Sequence, residues 1–130
     1  MDAHFSIDVD PARKLLKVAL SGFYTVADVE RYHAAIHVAT ARAGGLPSAQ
    51  RMVCDISGMH IQTQDVVVAF QKVMSDPKYQ HRRVALVVAS TLARMQAQRA
   101  TSVREVHFFP TTAEAEAWLF SQPDAASAAA

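Results

Sequence analysis

The groups best suited to chemistry in this 130-residue chain are short polar clusters that follow apolar runs. Asp55 and Ser57 come directly after Met52, Val53 and Cys54, and Thr63, Gln64 and Asp65 open a stretch with helical spacing. Where the carboxyl end of a strand meets a helix N-terminus, free N–H groups and hydroxyls can receive an anion or a partner's polar group. A local role is open to the same residues: Asp55 can accept N–H groups within a turn, and Ser57 can bond beside Gly58. Ser90, Thr91 and Arg94 repeat the pattern after the apolar run 84–89. Two helix N-termini and one guanidinium could then converge on an anion, or Ser90 and Thr91 are plain caps and Arg94 a solvated charge.

Other reaction types find less support. Glu30, His33 and His37 stand at i, i+3 and i+7, and the two histidines have the i, i+4 spacing of helical metal sites. No glutamate follows His33 and no third histidine is near, so the trio reads as a partly solvated helix face and no metal is expected. His4, His60, His81 and His107 have no sequence-local partner to tune them as bases. The single cysteine, Cys54, lies inside an apolar run and reads as a buried hydrophobe, not a nucleophile. GxSxG is absent, and the four glycines form no phosphate loop. Phe108 and Phe109 are adjacent on a predicted strand and point to opposite faces, which rules out a shared stacking platform. Arg82, Arg83, Arg94, Arg99 and Arg104 are the one basic concentration; they either receive an acidic partner or keep the surface soluble. No enzymatic activity and no cofactor are expected.

The elements that must position these residues follow from periodicity. Residues 4–10 alternate Phe5, Ile7 and Val9 with polar side chains, and Asp10, Pro11 and Ala12 turn the chain into a second strand at 14–20, ended by Gly22. Val29, Tyr32, Ile36, Ala39 and Ala43 mark a long amphipathic helix stopped by Gly44, Gly45 and Pro47. A strand at 51–56 leads to a helix capped by Thr63 and closed by Pro77, with Asp65 set against the helix dipole. The run 84–89 suits a strand covered on both faces, and Ser90 and Thr91 start a third helix reaching about Ala100. A last strand at 105–109 and the capping box Thr111 to Glu114 begin a helix that buries Trp118 and Leu119. The order β-β-α-β-α-β-α-β-α predicts a single α/β domain over 1–121, mostly parallel with one antiparallel edge strand, and a flexible tail at 122–130.

Composition sets the outer limits. Hydrophobic residues are 51% and charged ones 19%, ordinary for a soluble domain, and a net charge of +1 makes nucleic acid an unfavoured partner. The acidic opening MDAHFSIDVD and the lack of a spanning apolar stretch predict a cytoplasmic protein without a transmembrane segment.

Residues 53–58, the segment QDVVVAF, Arg82-Arg83-Val84 and the closing FFPTTAEAEAWL, in this order of elements, resemble the SpoIIAA-like superfamily. That superfamily contains the STAS domains and a STAS/SEC14-like branch, and the resemblance runs over residues 5–119. It implies a single-domain SpoIIAA-like (STAS-like) fold and a non-enzymatic regulatory module that binds a partner protein. It also implies a switch by phosphorylation at the start of the helix after the central strand. There the usual serine is missing and the window reads Thr63-Gln64-Asp65, making Thr63 the candidate acceptor. The expected docking surface is Asp55, Ser57, His60, Thr63 and Gln64, with Ser90, Thr91 and Arg94 at the same edge. The SEC14-like branch implies the alternative: a carrier or sensor holding a small hydrophobic, lipid-like ligand between Met59, Ile61, Val66 and Met95, with Ser90 or Arg94 at its polar end. A homodimer is expected if most helices lie on one side of the sheet and leave the other side to be covered.

Overall fold

The structure, a computed structural model, describes residues 2–102 and 104–121; the tail expected at 122–130 lies outside the described residues. Strands β1 (His4–Asp10), β2 (Leu15–Gly22), β3 (Arg51–Met59), β4 (Arg83–Val87) and β5 (His107–Phe109) form one sheet in that order. Helix α1 (Val26–Ala43) joins β2 to β3, α2 (Gln64–Ser75) joins β3 to β4, α3 (Thr91–Ala100) joins β4 to β5, and α4 (Thr112–Leu119) closes the described chain. β1 and β2 are antiparallel, paired from Asp10 with Leu15 to His4 with Ser21, and every later pair is parallel. The element order, the hairpin and the mixed sheet agree with the sequence reading.

Each crossover steps to the next strand in the same direction, so right-handed connections carry α1, α2 and α3 to one face. There Leu16, Val18, Leu20, Met52, Cys54, Val84 and Leu86 from the strands pack on Val29, Tyr32, Ile36, Val66, Val73 and Ala97 from the helices. Helix α4, the last element among the described residues, folds onto the opposite face, where Ala115 and Leu119 cover Leu15, Val53, Ala85 and Val87. All five residues of β4 are buried, as a strand covered on both faces requires. The rest of the second face is polar or small, with Ser6, Asp8, Lys17 and Ala19 exposed. Three of the four helices thus lie on one face, and α4 covers only the part of the other around Leu15, Val53, Ala85 and Val87.

Side chains finish the helix ends. Thr25 and Asp28 close a capping box on α1, and Gln50, fully buried, donates Nε2 to Thr40 O and Gly44 O, both at 3.0 Å, at the other end. Arg83 donates to Trp118 O and, at 3.1 Å, to Ser121 Oγ, while Arg51 Nε donates to Leu119 O at 2.6 Å. Two guanidinium groups thus meet the negative end of α4. Leu119 is buried, whereas Trp118 is only half-buried and stacks on His107 with ring centroids 4.4 Å apart.

Candidate functional site

The segment read as strand, turn and helix is built differently in its middle. β3 does not stop at Ile56; it runs on to Met59 through a bulge, since Ala19 pairs with Asp55 but Ser21 pairs with Gly58. Three residues of β3 therefore span what two residues of β2 span. Asp55 supports the bulge: its Oδ1 accepts from Ser57 N at 2.9 Å and Ser57 Oγ at 2.6 Å. Strand alternation sets Asp55 beside Val87 on the α4 face, away from α2 and α3. Its carboxylate thus makes the local turn bonds that its residue type suggests.

After the bulge the chain is held by a residue that sequence reasoning missed. Gln62 is buried, and its Oε1 accepts from Tyr24 N at 2.8 Å while its Nε2 donates to Gly22 O at 3.0 Å and His60 O at 2.5 Å. Its backbone exchanges a second pair of bonds with the Gln96 amide of α3, at 2.7 and 2.9 Å. This clamp ties the lead-in of α2 to the end of β2 and to α3. It sets Thr63 and Ser90 on one edge, since parallel β3 and β4 are neighbours. No periodic or motif signal marks Gln62; only a tally of the backbone groups orphaned between Gly22 and His60 points to it.

On that edge Thr63 caps α2 without a side-chain cap bond; its hydroxyl donates to Asp65, which holds the Asp65 carboxyl below its usual range. Gln64 and His60 are exposed. Ser90 Oγ accepts from Ala93 N at 3.1 Å as an ordinary cap, and Thr91 is exposed at the first position of α3. Arg94, exposed one turn into α3, lies over the Phe108 ring at 5.4 Å. Two arginines of the basic concentration serve the fold: Arg104 donates to Tyr79 O at 2.7 Å and His81 O at 2.8 Å, and Arg83 is buried under α4, while Arg82, Arg94 and Arg99 are exposed. Phe108 and Phe109 do face opposite sides, one in each half of the core.

Against this geometry two solved structures match over 92% of the chain and 96% of their own lengths. One is an uncharacterised protein of the DUF3478 family with a SpoIIAA-like fold from Shewanella loihica, at 20% identity and a TM-score of 0.68. The other is an anti-sigma factor antagonist from Mycobacterium paratuberculosis, at 13% identity and a TM-score of 0.61. The chain has a SpoIIAA-like fold. No protein-family model and no curated protein matches it by sequence.

Within this SpoIIAA-like fold, the face between α2 and α3 is the open one. A groove of about 480 Å³ is lined by Gln64, Val67, Gln71, Met95, Gln98 and Arg99, among others. On the same two helices and the lead-in to α2, Ile61, Val68, Leu92 and Met95 are 44%, 39%, 61% and 53% exposed, a concentration of large apolar side chains out of keeping with two core helices. Beneath, between the sheet and these helices, lies an apolar cavity of about 80 Å³ touched by Leu20, Cys54, Met59, Ile61, Phe70 and Leu86. Small-molecule sites commonly measure ~300 Å³ or more, well above this space. The four residues assigned to a lipid crevice do not share a wall: Met59 and Ile61 line the cavity, Met95 lines the groove, and Val66 is sealed in the core. Burial pushes the Cys54 thiol up to about 12, leaving it protonated and inert. No helix among the described residues is long and apolar enough to cross a membrane.

One further cluster lies at the far end of α2. His33 Nε2 and His37 Nε2 stand 2.7 and 2.9 Å from the same oxygen, Asp76 Oδ2. The helix face read as merely solvated therefore has a third donor, supplied from a distant loop; Glu30 is not part of it.

Proposed function

We propose that this chain is a non-enzymatic, cytoplasmic regulatory module that docks a partner protein along the groove between α2 and α3. What carries the reading is the set of exposed apolar side chains Ile61, Val68, Leu92 and Met95 on α2, α3 and the lead-in to α2, with Met95 lining the groove itself between the first two turns of α2 and the C-terminal half of α3. Its walls offer Gln64, Gln71 and Gln98 as two-way hydrogen-bonding groups and Arg99 as a cation. A partner presenting an amphipathic helix with apolar anchors and an acidic margin matches this chemistry. The likeness to an anti-sigma factor antagonist supports a regulatory protein as that partner.

Of the residues first expected at the docking surface, His60, Thr63, Gln64, Ser90 and Thr91 belong to this edge, whereas Asp55 and Ser57 bond within their own turn and Arg94 lies over Phe108. Thr63 is exposed at the α2 N-terminus, and phosphorylation there sets two or so negative charges beside Asp65. The helix N-terminus favours that charge and Asp65 opposes it, so modification acts on the partner's acidic margin by repulsion.

Capture from native cell extract tests the reading, with Leu92→Ser/Met95→Ser beside wild type and with Val38→Ser, an exposed substitution on α1, as control. A partner retained by wild type and Val38→Ser but lost by the double variant is the expected result. Equal capture by all three overturns the proposed groove, and equal capture by Thr63→Glu and Thr63→Ala overturns the switch.

A further inference from the structure

His33 and His37 lie one turn apart on α1, and both rings turn their Nε2 atoms toward the loop after α2. Their centroids are 4.5 Å apart with planes at 67°, so the rings stand side by side without stacking. Asp76 comes from α2's C-cap, where its backbone N–H donates to Val73 O. Its carboxylate is divided: Oδ1 accepts the Lys78 N–H at 2.8 Å, and Oδ2 alone faces the two imidazoles. The three ligand atoms lie within 4.8 Å of one another, and no other such group of His, Cys, Asp and Glu occurs among the described residues. The side chains are 30%, 34% and 18% exposed, open enough for an ion to enter and enclosed enough to be oriented.

We propose that His33, His37 and Asp76 bind a divalent transition-metal ion of the zinc type, with a coordination position left for water or an external ligand. Two imidazoles and one carboxylate oxygen form the three-ligand set of open zinc sites, and borderline nitrogen donors favour zinc over magnesium or calcium. A tetrahedral ion with bonds of ~2.0–2.1 Å holds its donors roughly 3.3 Å apart. The present separations of 2.7 and 2.9 Å need to open by only about half an ångström, within the reach of two part-exposed side chains. On binding, each imidazole carries its proton on Nδ1 and gives the Nε2 lone pair to the metal. The Lys78 N–H on Oδ1 keeps Asp76 monodentate, an outer-shell bond of the kind that orients ligands. In effect the ion clasps α1 to the α2–β4 loop.

Equilibrium titration of tag-free, chelator-treated protein with zinc tests this, with His33→Gln, His37→Gln and Asp76→Asn as disrupting variants and His107→Gln as control. His107 pairs with Glu105 at 3.0 Å without a third donor. The expected result is one zinc per chain, bound at least tenfold more weakly by each of the three variants and unchanged in the control. Cobalt should give the visible absorption of a four-coordinate nitrogen and oxygen site in wild type and His107→Gln and not in the three disrupting variants. Circular dichroism confirms that the variants are folded. Zinc binding that is equal in wild type and the three variants, or that is lost in His107→Gln instead, overturns the site.

Discussion

Acid should loosen this fold through His81, a residue buried to 3% exposure between α1 and the core. Its Nε2 lies 3.3 Å from Thr40 Oγ1, its ring meets Tyr79 edge-on at 5.1 Å, and Arg104 donates Nη2 to its carbonyl at 2.8 Å. Burial, and after it the Arg104 charge, pull the His81 pKa down to about 4. In the unfolded chain the imidazole titrates near its ordinary value of about 6.5. Between those values the unfolded chain holds a proton that the folded one refuses. Stability is therefore intact above about pH 6.5, falls as the pH drops through the window, and levels off below about 4. A separation of roughly 2.5 pH units at about 1.4 kcal/mol each makes the full loss about 3 kcal/mol, a large part of a small domain's stability. Urea unfolding of wild type and His81→Gln at pH 7.5, 6.0, 5.0 and 4.0 isolates the effect. Every other group is common to both proteins and cancels in the difference. The variant should start less stable and lose less, so that the two curves approach each other as the pH falls. Parallel curves across the window would refute the assignment of the acid lability to His81.

Two further outcomes test the framework around the groove. Gln62→Ala leaves the Tyr24 N–H without its partner in a buried place and the Gly22 carbonyl with the His60 N–H alone, and should cost about 1–3 kcal/mol in urea unfolding with an unchanged m-value. Arg83→Met removes the bonds to Trp118 O and Ser121 and the guanidinium 4.5 Å above the Trp118 ring, and should cost about 1–3 kcal/mol. Because Trp118 is the single tryptophan, loosening of α4 should appear as a red-shifted emission before the main transition.

Local chemistry was legible where it is decided locally. Asp10 and Pro11 marked the hairpin, Ser90 and Thr111 accept the cap bonds their types announce, and the unbroken apolar run of β4 required cover on both faces. What depends on a partner far along the chain was not legible. The bulge at Asp55 exists because β2 presents two residues where β3 has three, and nothing in residues 51–59 alone says so. Gly22 ended the predicted strand for its flexibility. In the structure it stays in β2 at φ +90 because the Asp2 carbonyl oxygen lies 2.1 Å from where a Cβ would stand. His33 and His37 advertised metal spacing, but their third donor is 39 positions beyond His37 and arrives only because α1 and α2 are neighbours on one face. Arg83 and Arg104 counted as surface charge until tertiary structure turned them into caps for backbone carbonyls.

The docking groove runs along α2 from Gln64 to Gln71 on its α3 side, whereas the metal clasp lies at the C-cap Asp76 on its α1 side, and this separation keeps their tests distinct. A 12-residue helix spans roughly 18 Å, so a substitution at Asp76 touches no side chain of the α2 N-terminal edge. Leu92 and Met95 lie on α3, exposed and remote from α1, so their replacement leaves the histidine pair in place. Loss of zinc in Asp76→Asn with partner capture intact, and loss of capture in Leu92→Ser/Met95→Ser with zinc intact, are the outcomes for two independent sites. If Asp76→Asn also abolished capture while circular dichroism stayed native, α2 would be the connecting lever. The clasp would then set the position of the helix whose N-terminus forms one wall of the groove, and metal occupancy would control docking.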